Sequence, residues 1–154
     1  MNFASQGNVP QGGKLEHEQT ASFSGITADI LLGGEQAPMT VMAMSIAPHQ
    51  GAPAHISTSE DKIFQITDGR LIFLVGDQRL HVSAGDTVFV PRGVVHSFSP
   101  LDDSRAQMQL VSTPARHDRF FLAMNELPLP HDPGDVQRVC SAFEQVIVGP
   151  VVSP

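Results

Sequence analysis

The chain has 154 residues and a mass of 16.5 kDa, one domain's worth of sequence. Its longest apolar runs, such as Ile30–Leu32 and Val146–Val148, fall far short of the roughly 20 residues of a bilayer span, which excludes a membrane protein, and 13 Gly with 12 Pro interrupt it too often for a coiled coil. The net charge is -7, the only lysines are Lys14 and Lys62, and no basic cluster exists, so nucleic acid is excluded as a partner.

Residues 1–20 are polar and Gly/Gln-rich and read as a flexible arm. Residues 1–13 lack the basic start and apolar stretch of a signal peptide. Glu16-His17-Glu18, within the arm, reads as solvated. Cys140 is the single cysteine, which excludes a disulfide scaffold, and a cytoplasmic location is expected.

Residues 21–115 read as a string of short strands: Ile26–Leu32, Thr40–Ile46, Lys62–Ile66, Arg70–Val75, Arg79–Val82, Thr87–Val90, Val94–Phe98 and Gln107–Val111. Gly, Pro and Asp separate them, and Asp68-Gly69 is a hairpin signal. No βαβ rhythm is present, so the pattern predicts an all-β sandwich or barrel. Residues 116–154 change character. Apolar spacing predicts a helix over His117–Met124 and a second over Asp135–Val148, N-capped by Asp135, with residues 149–154 as a tail.

Two stretches are more specific. The first runs Gly51-Ala-Pro-Ala-His55-Ile-Ser57-Thr-Ser-Glu60-Asp61-Lys62 and on to Asp68-Gly69. The second is Gly85-Asp86-Thr-Val-Phe-Val-Pro91-Arg92-Gly93-Val-Val-His96-Ser-Phe98. Together they resemble the two conserved-barrel motifs of the cupin family, over about Thr40–Thr113. The glycine frame of the second motif fits without a gap, at Gly85, Pro91, Gly93 and His96. The resemblance implies a cupin double-stranded β-helix (a jelly-roll barrel) with one or two C-terminal helices. It also implies that His55 and His96 sit on different strands, aimed into the barrel mouth. Strand alternation puts Ser57 on the face of His55, and Lys62, Phe64 and Ile66 in one inward row.

The chain departs from the family pattern at the metal ligands. Metal-binding cupins use two histidines and a glutamate of the first motif and the histidine of the second. Here His55 and His96 are kept, Ser57 stands at the second histidine, and Lys62 stands at the glutamate. Pro100 replaces the terminal Asn of the second motif. Transition-metal sites want three or more imidazole or carboxylate ligands, and an ammonium repels a divalent ion. The usual metal site is therefore read as degenerate, with no cofactor expected. Weak or adventitious Ni, Zn, Fe or Mn on His55 and His96 is the residual metal reading. Asp61 would turn inward only with a one-residue register slip, His49 is placed to reach the mouth, and His81 faces outward.

Candidate catalytic residues are thus His55, Lys62 and His96, with Ser57, Phe64, Ile66, Phe98 and Met44 lining a pocket. Lys62 has two readings: a rim cation paired with Glu60 or Asp61, the commoner fate, or a buried amine with a lowered pKa acting as a base or anchor. Ser57 lacks the Gly-x-Ser-x-Gly elbow of an acyl-enzyme nucleophile. Arg92 reads as a surface or interface charge. Three functions are carried forward. The first is a metal-independent small-molecule cupin with proton-transfer chemistry of the isomerase, epimerase or cyclase kind. The second is a metal-dependent cupin resembling the quercetin dioxygenases, and the third a non-enzymatic ligand sensor. A homodimer is expected, because an uncovered sheet edge is a liability.

Overall fold

A computed structural model describes residues 10–17 and 19–154; half of the polar arm, residues 1–9 and Glu18, lies outside the described residues. Among the described residues, eleven strands and two helices follow one another in the order β1 (Gln19–Phe23), β2 (Ile26–Leu32), β3 (Thr40–Ile46), β4 (Ala52–Ser57), β5 (Asp61–Asp68), β6 (Arg70–Val75), β7 (Gln78–Ser83), β8 (Thr87–Val90), β9 (His96–Pro100), β10 (Ala106–Thr113), α1 (His117–Asn125), α2 (Pro133–Ala142) and β11 (Gln145–Val151). Two antiparallel sheets form the barrel. One has the order β1-β2-β3-β10-β5-β8 and the other β11-β4-β9-β6-β7. This is the all-β barrel with C-terminal helices that the motifs imply. Among the described residues, no helix is long and apolar enough to cross a membrane.

The core lies between the sheets and is built by alternation. Along β5, Lys62, Phe64 and Ile66 are buried while Ile63 and Gln65 face out. Phe64, Phe73 and Phe98 meet from β5, β6 and β9 with ring centroids 5.2–5.6 Å apart. Two glycines of the first motif have identifiable roles. Gly69 turns the β5–β6 hairpin at φ +78°, a left-handed conformation that a Cβ disfavours. At Gly51 a Cβ would collide with the backbone carbonyl oxygen of Phe98, so only glycine lets β4 enter beside β9. In the second motif, the Gly93 amide donates to the Ser57 carbonyl at 2.9 Å and ties the two motifs together.

The segments flanking the barrel differ from the sequence-based expectation. Gln19 and Thr20, expected in the arm of residues 1–20, belong to β1. The second helix spans Pro133–Ala142, and its N-cap is Asp132, whose carboxylate accepts from the Asp135 amide at 3.2 Å; Asp135 sits in the first turn. It stops well before Val148. Gln145–Val151 instead forms a strand paired with β4. Periodicity cannot separate a helix from a short run of β-branched residues such as Val146-Ile147-Val148, and edge pairing decides for the strand. Residues 116–154 are therefore not a helical appendage alone, since their last strand is part of the barrel wall.

Helix α1 packs across β1, with Phe121 and Phe120 edge-on to Phe23 at 4.8 and 6.1 Å. Its first turn is anchored by buried Asp118, which accepts from the Gly34 amide at 2.9 Å and the Thr40 hydroxyl at 2.7 Å. That anchorage fixes the neighbouring residue, His117, over the barrel mouth.

Candidate functional site

The pairing of β4 with β9 sets His55 directly opposite His96, their ring centroids 4.1 Å apart. Both rings are oriented by their own strands. His55 Nδ1 lies 2.7 Å from the Pro53 carbonyl oxygen, and His96 Nδ1 lies 3.0 Å from that of Val94. A carbonyl only accepts, so each Nδ1 carries the proton and each Nε2 presents a lone pair. Both lone pairs converge on one cation. Lys62 Nζ is 3.1 Å from His96 Nε2 and 3.5 Å from His55 Nε2.

Lys62 is 1% exposed. The rim pairing is thus overturned: Asp61 is turned outward to Arg92, which donates to it from its guanidinium at 3.1 Å and its amide at 2.9 Å. Burial lowers the Lys62 amine to about 7, against an opposing pull from Glu60. Burial, then the Lys62 charge, lowers His55 to about 3, and the same two causes depress His96 further. Both imidazoles are neutral acceptors at neutral pH. Two of the amine's valences are thereby held by the histidines. The one that remains is an N–H when Lys62 is charged and a lone pair when it is neutral.

Above this cluster lies a small cavity of about 50 Å³ with predominantly apolar walls. Of the predicted lining, Met44, Phe64 and Phe98 take part, as do His55 and Lys62. Ile66 does not; it lies in the core behind. Ser57 does not either, because its hydroxyl donates to Gln145 Oε1 at 2.6 Å. His96, wholly buried, meets Lys62 from behind and is not a wall. His49 is on the surface beside Asp103 at 2.8 Å and does not reach the mouth.

The remaining walls include Phe23, Phe120, Phe121 and His117, from β1 and α1. His117 comes with a partner. Glu60, 1% exposed, accepts through Oε1 from His117 Nδ1 at 2.9 Å and from Gln145 Nε2 at 2.7 Å. Burial pushes the Glu60 carboxyl up, but His117, Lys62 and Gln145 together outweigh it and hold the group at about 2. Burial first, then Lys62, keeps His117 below the usual imidazole range although Glu60 pulls the other way. The pair is a carboxylate with a neutral imidazole whose Nδ1–H donates to it. Sequence reasoning named neither Glu60 nor His117 as a site residue. Their partnership spans 57 positions and is made only when α1 docks.

A family model described as a cupin domain matches residues 42–112. Over those residues the chain carries a cupin domain. No curated protein matches it by sequence. Solved cupin-like structures align with it at low identity and show the fold. KdgF from Halomonas sp. gives a TM-score of 0.61 at 15% identity, covering 71% of this chain and 99% of that one. A Streptomyces protein, PAC13, solved with uridine, gives 0.59 at 15% identity over 92% and 95% of the two chains. A conserved barrel domain protein from Salinispora arenicola gives 0.54 at 20% identity over 88% and 99%.

The donor set of this barrel does not fit a four-ligand metal centre. Two imidazoles are present, Ser57 is committed to Gln145, and the Lys62 nitrogen stands where both Nε2 lone pairs point. Among the described residues no group of three His, Cys, Asp or Glu is disposed to hold a metal ion.

Proposed function

We propose that this cupin binds a small carbonyl compound in the barrel mouth and moves a proton at its oxygen with Lys62, without a metal. The observation that carries the reading is the buried Lys62 amine held between two neutral imidazoles at the floor of an apolar cavity. A group poised near neutrality serves equally as acid and base, and general acid–base catalysis of this kind contributes roughly 10²–10⁴-fold. Charged Lys62 donates its free N–H to the carbonyl oxygen and, as an enol forms, passes that proton over. His55 and His96 are positioning residues that hold the nitrogen through their Nε2 atoms. The apolar walls favour a compound with one polar end. They hold no arginine for a phosphate, which argues for an unphosphorylated compound, although a structural neighbour from Silicibacter pomeroyi is described as a sugar phosphate isomerase.

The test is solvent deuterium uptake at the α-carbon of hydroxyacetone in D₂O, followed by proton NMR. The unsubstituted protein accelerates uptake over buffer, and Lys62→Met loses at least tenfold of that acceleration. Uptake by Lys62→Met equal to that of the parent protein would sink the reading. Borohydride added during turnover is expected to trap no adduct, because an imine at Lys62 would give up at least one N–H bond to the histidines. A trapped Lys62 adduct would move the chemistry to covalent catalysis.

A further inference from the structure

We infer that Glu60 and His117 form a carboxylate–imidazole dyad whose free nitrogen, His117 Nε2, is the base that removes a proton from the carbon of a compound bound at Lys62. The inference rests on the reading of Lys62 given above and adds the second proton-transfer group that the chemistry requires. Enolisation needs a base at carbon and an acid at oxygen, and a single nitrogen cannot occupy both positions at once.

Three observations meet at His117. First, the Glu60 carboxylate accepts a hydrogen bond from His117 Nδ1–H at 2.9 Å, which fixes the tautomer and leaves Nε2 as a lone pair. Second, the ring is held in place. It stacks on Phe120 at 5.5 Å and lies 5.1 Å from Phe121, while the next residue, Asp118, pins the helix start to Gly34 and Thr40. Third, His117 and Lys62 line the same cavity, from α1 and β5 respectively. Glu60 is itself oriented. Gln145 donates to it at 2.7 Å and accepts from Ser57 at 2.6 Å, so β11 braces the carboxylate. Glu60 Oε2 accepts from no described residue. A buried carboxylate with one uncommitted oxygen is an expensive arrangement in a purely structural network. Beside an imidazole that gains charge during a reaction, the same negative field stabilises the imidazolium.

The step balances as follows. His117 Nε2 takes the α-proton, and the C–H electron pair becomes the carbon–carbon π bond. The carbonyl π pair moves onto oxygen, which takes a proton from the Lys62 ammonium. The products are the enol, an imidazolium facing the Glu60 carboxylate, and a neutral amine between two imidazoles. Return of a proton, or of a solvent deuteron, to carbon reverses every transfer. His117 is the catalytic residue here, and Glu60 and Gln145 position it.

The test uses the full chain and hydroxyacetone in D₂O. His117→Ala is expected to lose at least tenfold of the deuterium uptake. Added imidazole, which restores the base, is expected to recover it. Pyrazole, of equal size and far weaker basicity, is not; recovery with pyrazole would mean that His117 only fills space. His117→Ala uptake equal to the parent's, with Lys62→Met still impaired, overturns the dyad and leaves the Lys62 reading standing. Absence of uptake by the parent protein overturns both. Where His117→Ala does not fold, the parent protein decides by long-range proton–nitrogen NMR: an Nδ1-protonated, Nε2-free His117 is expected, and an Nε2-protonated ring overturns the inference.

Discussion

Replacing Lys62 by Met gives the sharpest physical test of the site, because it can be read as stability alone. In the folded chain burial lowers the amine from 10.5 to about 7. The unfolded chain therefore binds more protons between these two values, and stability must rise with pH across that window. Below pH 7 the folded protein carries the full cost of the buried ammonium, on the order of 5 kcal/mol for a shift of this size. The cost fades as pH climbs toward 10.5. Met fills similar space and does not titrate, but it leaves two Nε2 lone pairs unpartnered, at about 1–3 kcal/mol each. That penalty is constant in alkali, because both histidines are already neutral there. The stability difference between the two proteins is thus offset by an unknown amount, but its slope is fixed. Between pH 7 and 9 it moves by about 2 kcal/mol in favour of the parent protein. Urea denaturation in half-unit pH steps measures it. A difference that stays flat from pH 6 to 9 would refute the claim that Lys62 is a buried amine with a lowered pKa.

Acid should act through the histidines. The folded pKa of His55 is about 3 and that of His96 is also depressed, so the unfolded chain binds more protons below 6.5 and stability falls as pH drops through that range. The urea midpoint is expected to decline from pH 7 to pH 4, and His55→Gln to decline less steeply. Asp118→Ala strands the Gly34 amide and the Thr40 hydroxyl and should cost about 3 kcal/mol in thermal or urea unfolding; a loss within experimental error would mean that α1 is anchored elsewhere. Gly51→Ala drives a methyl into the Phe98 carbonyl and should cost about 3 kcal/mol by the same assay, through a shifted β4. Protein purified without a nickel column is expected to carry well under one metal ion per chain by plasma mass spectrometry. Stoichiometric metal that disappears in His96→Ala would restore a metal centre.

Much of the barrel was legible because its signals are local. Hairpin glycines and strand alternation are read within a few residues of each other, and they placed Lys62 in the inward row with Phe64. The expectation of a degenerate metal site rests on the same kind of local reading, with Ser57 and Lys62 at two ligand positions. What alternation could not tell was how deep Lys62 sits. Alternation permits a buried Lys62, but only the covering of β1 and α1 over the mouth decides it. Glu60 was lost for a related reason. It stands just before β5 and looks like one of a pair of surface acids with Asp61. Its neighbours are supplied by His117 and Gln145, both more than 50 positions away. The C-terminal strand was misread because three consecutive β-branched residues carry no period of their own.

The return of β11 to β4 also has a consequence in time. Ser57 and Gln145 lie opposite each other across 88 positions of chain. A ribosome adding about 5–20 residues per second needs roughly 4–18 s to cover that distance. Throughout that interval the outer edge of the strand bearing His55 lacks its partner, and the Glu60 carboxylate lacks its Gln145 donor and, for about two thirds of the time, His117 as well. The nascent barrel therefore passes through a stage with an open, partly apolar edge and a naked buried acid. That stage is where a holding chaperone would engage this chain, and where slow translation would be most damaging.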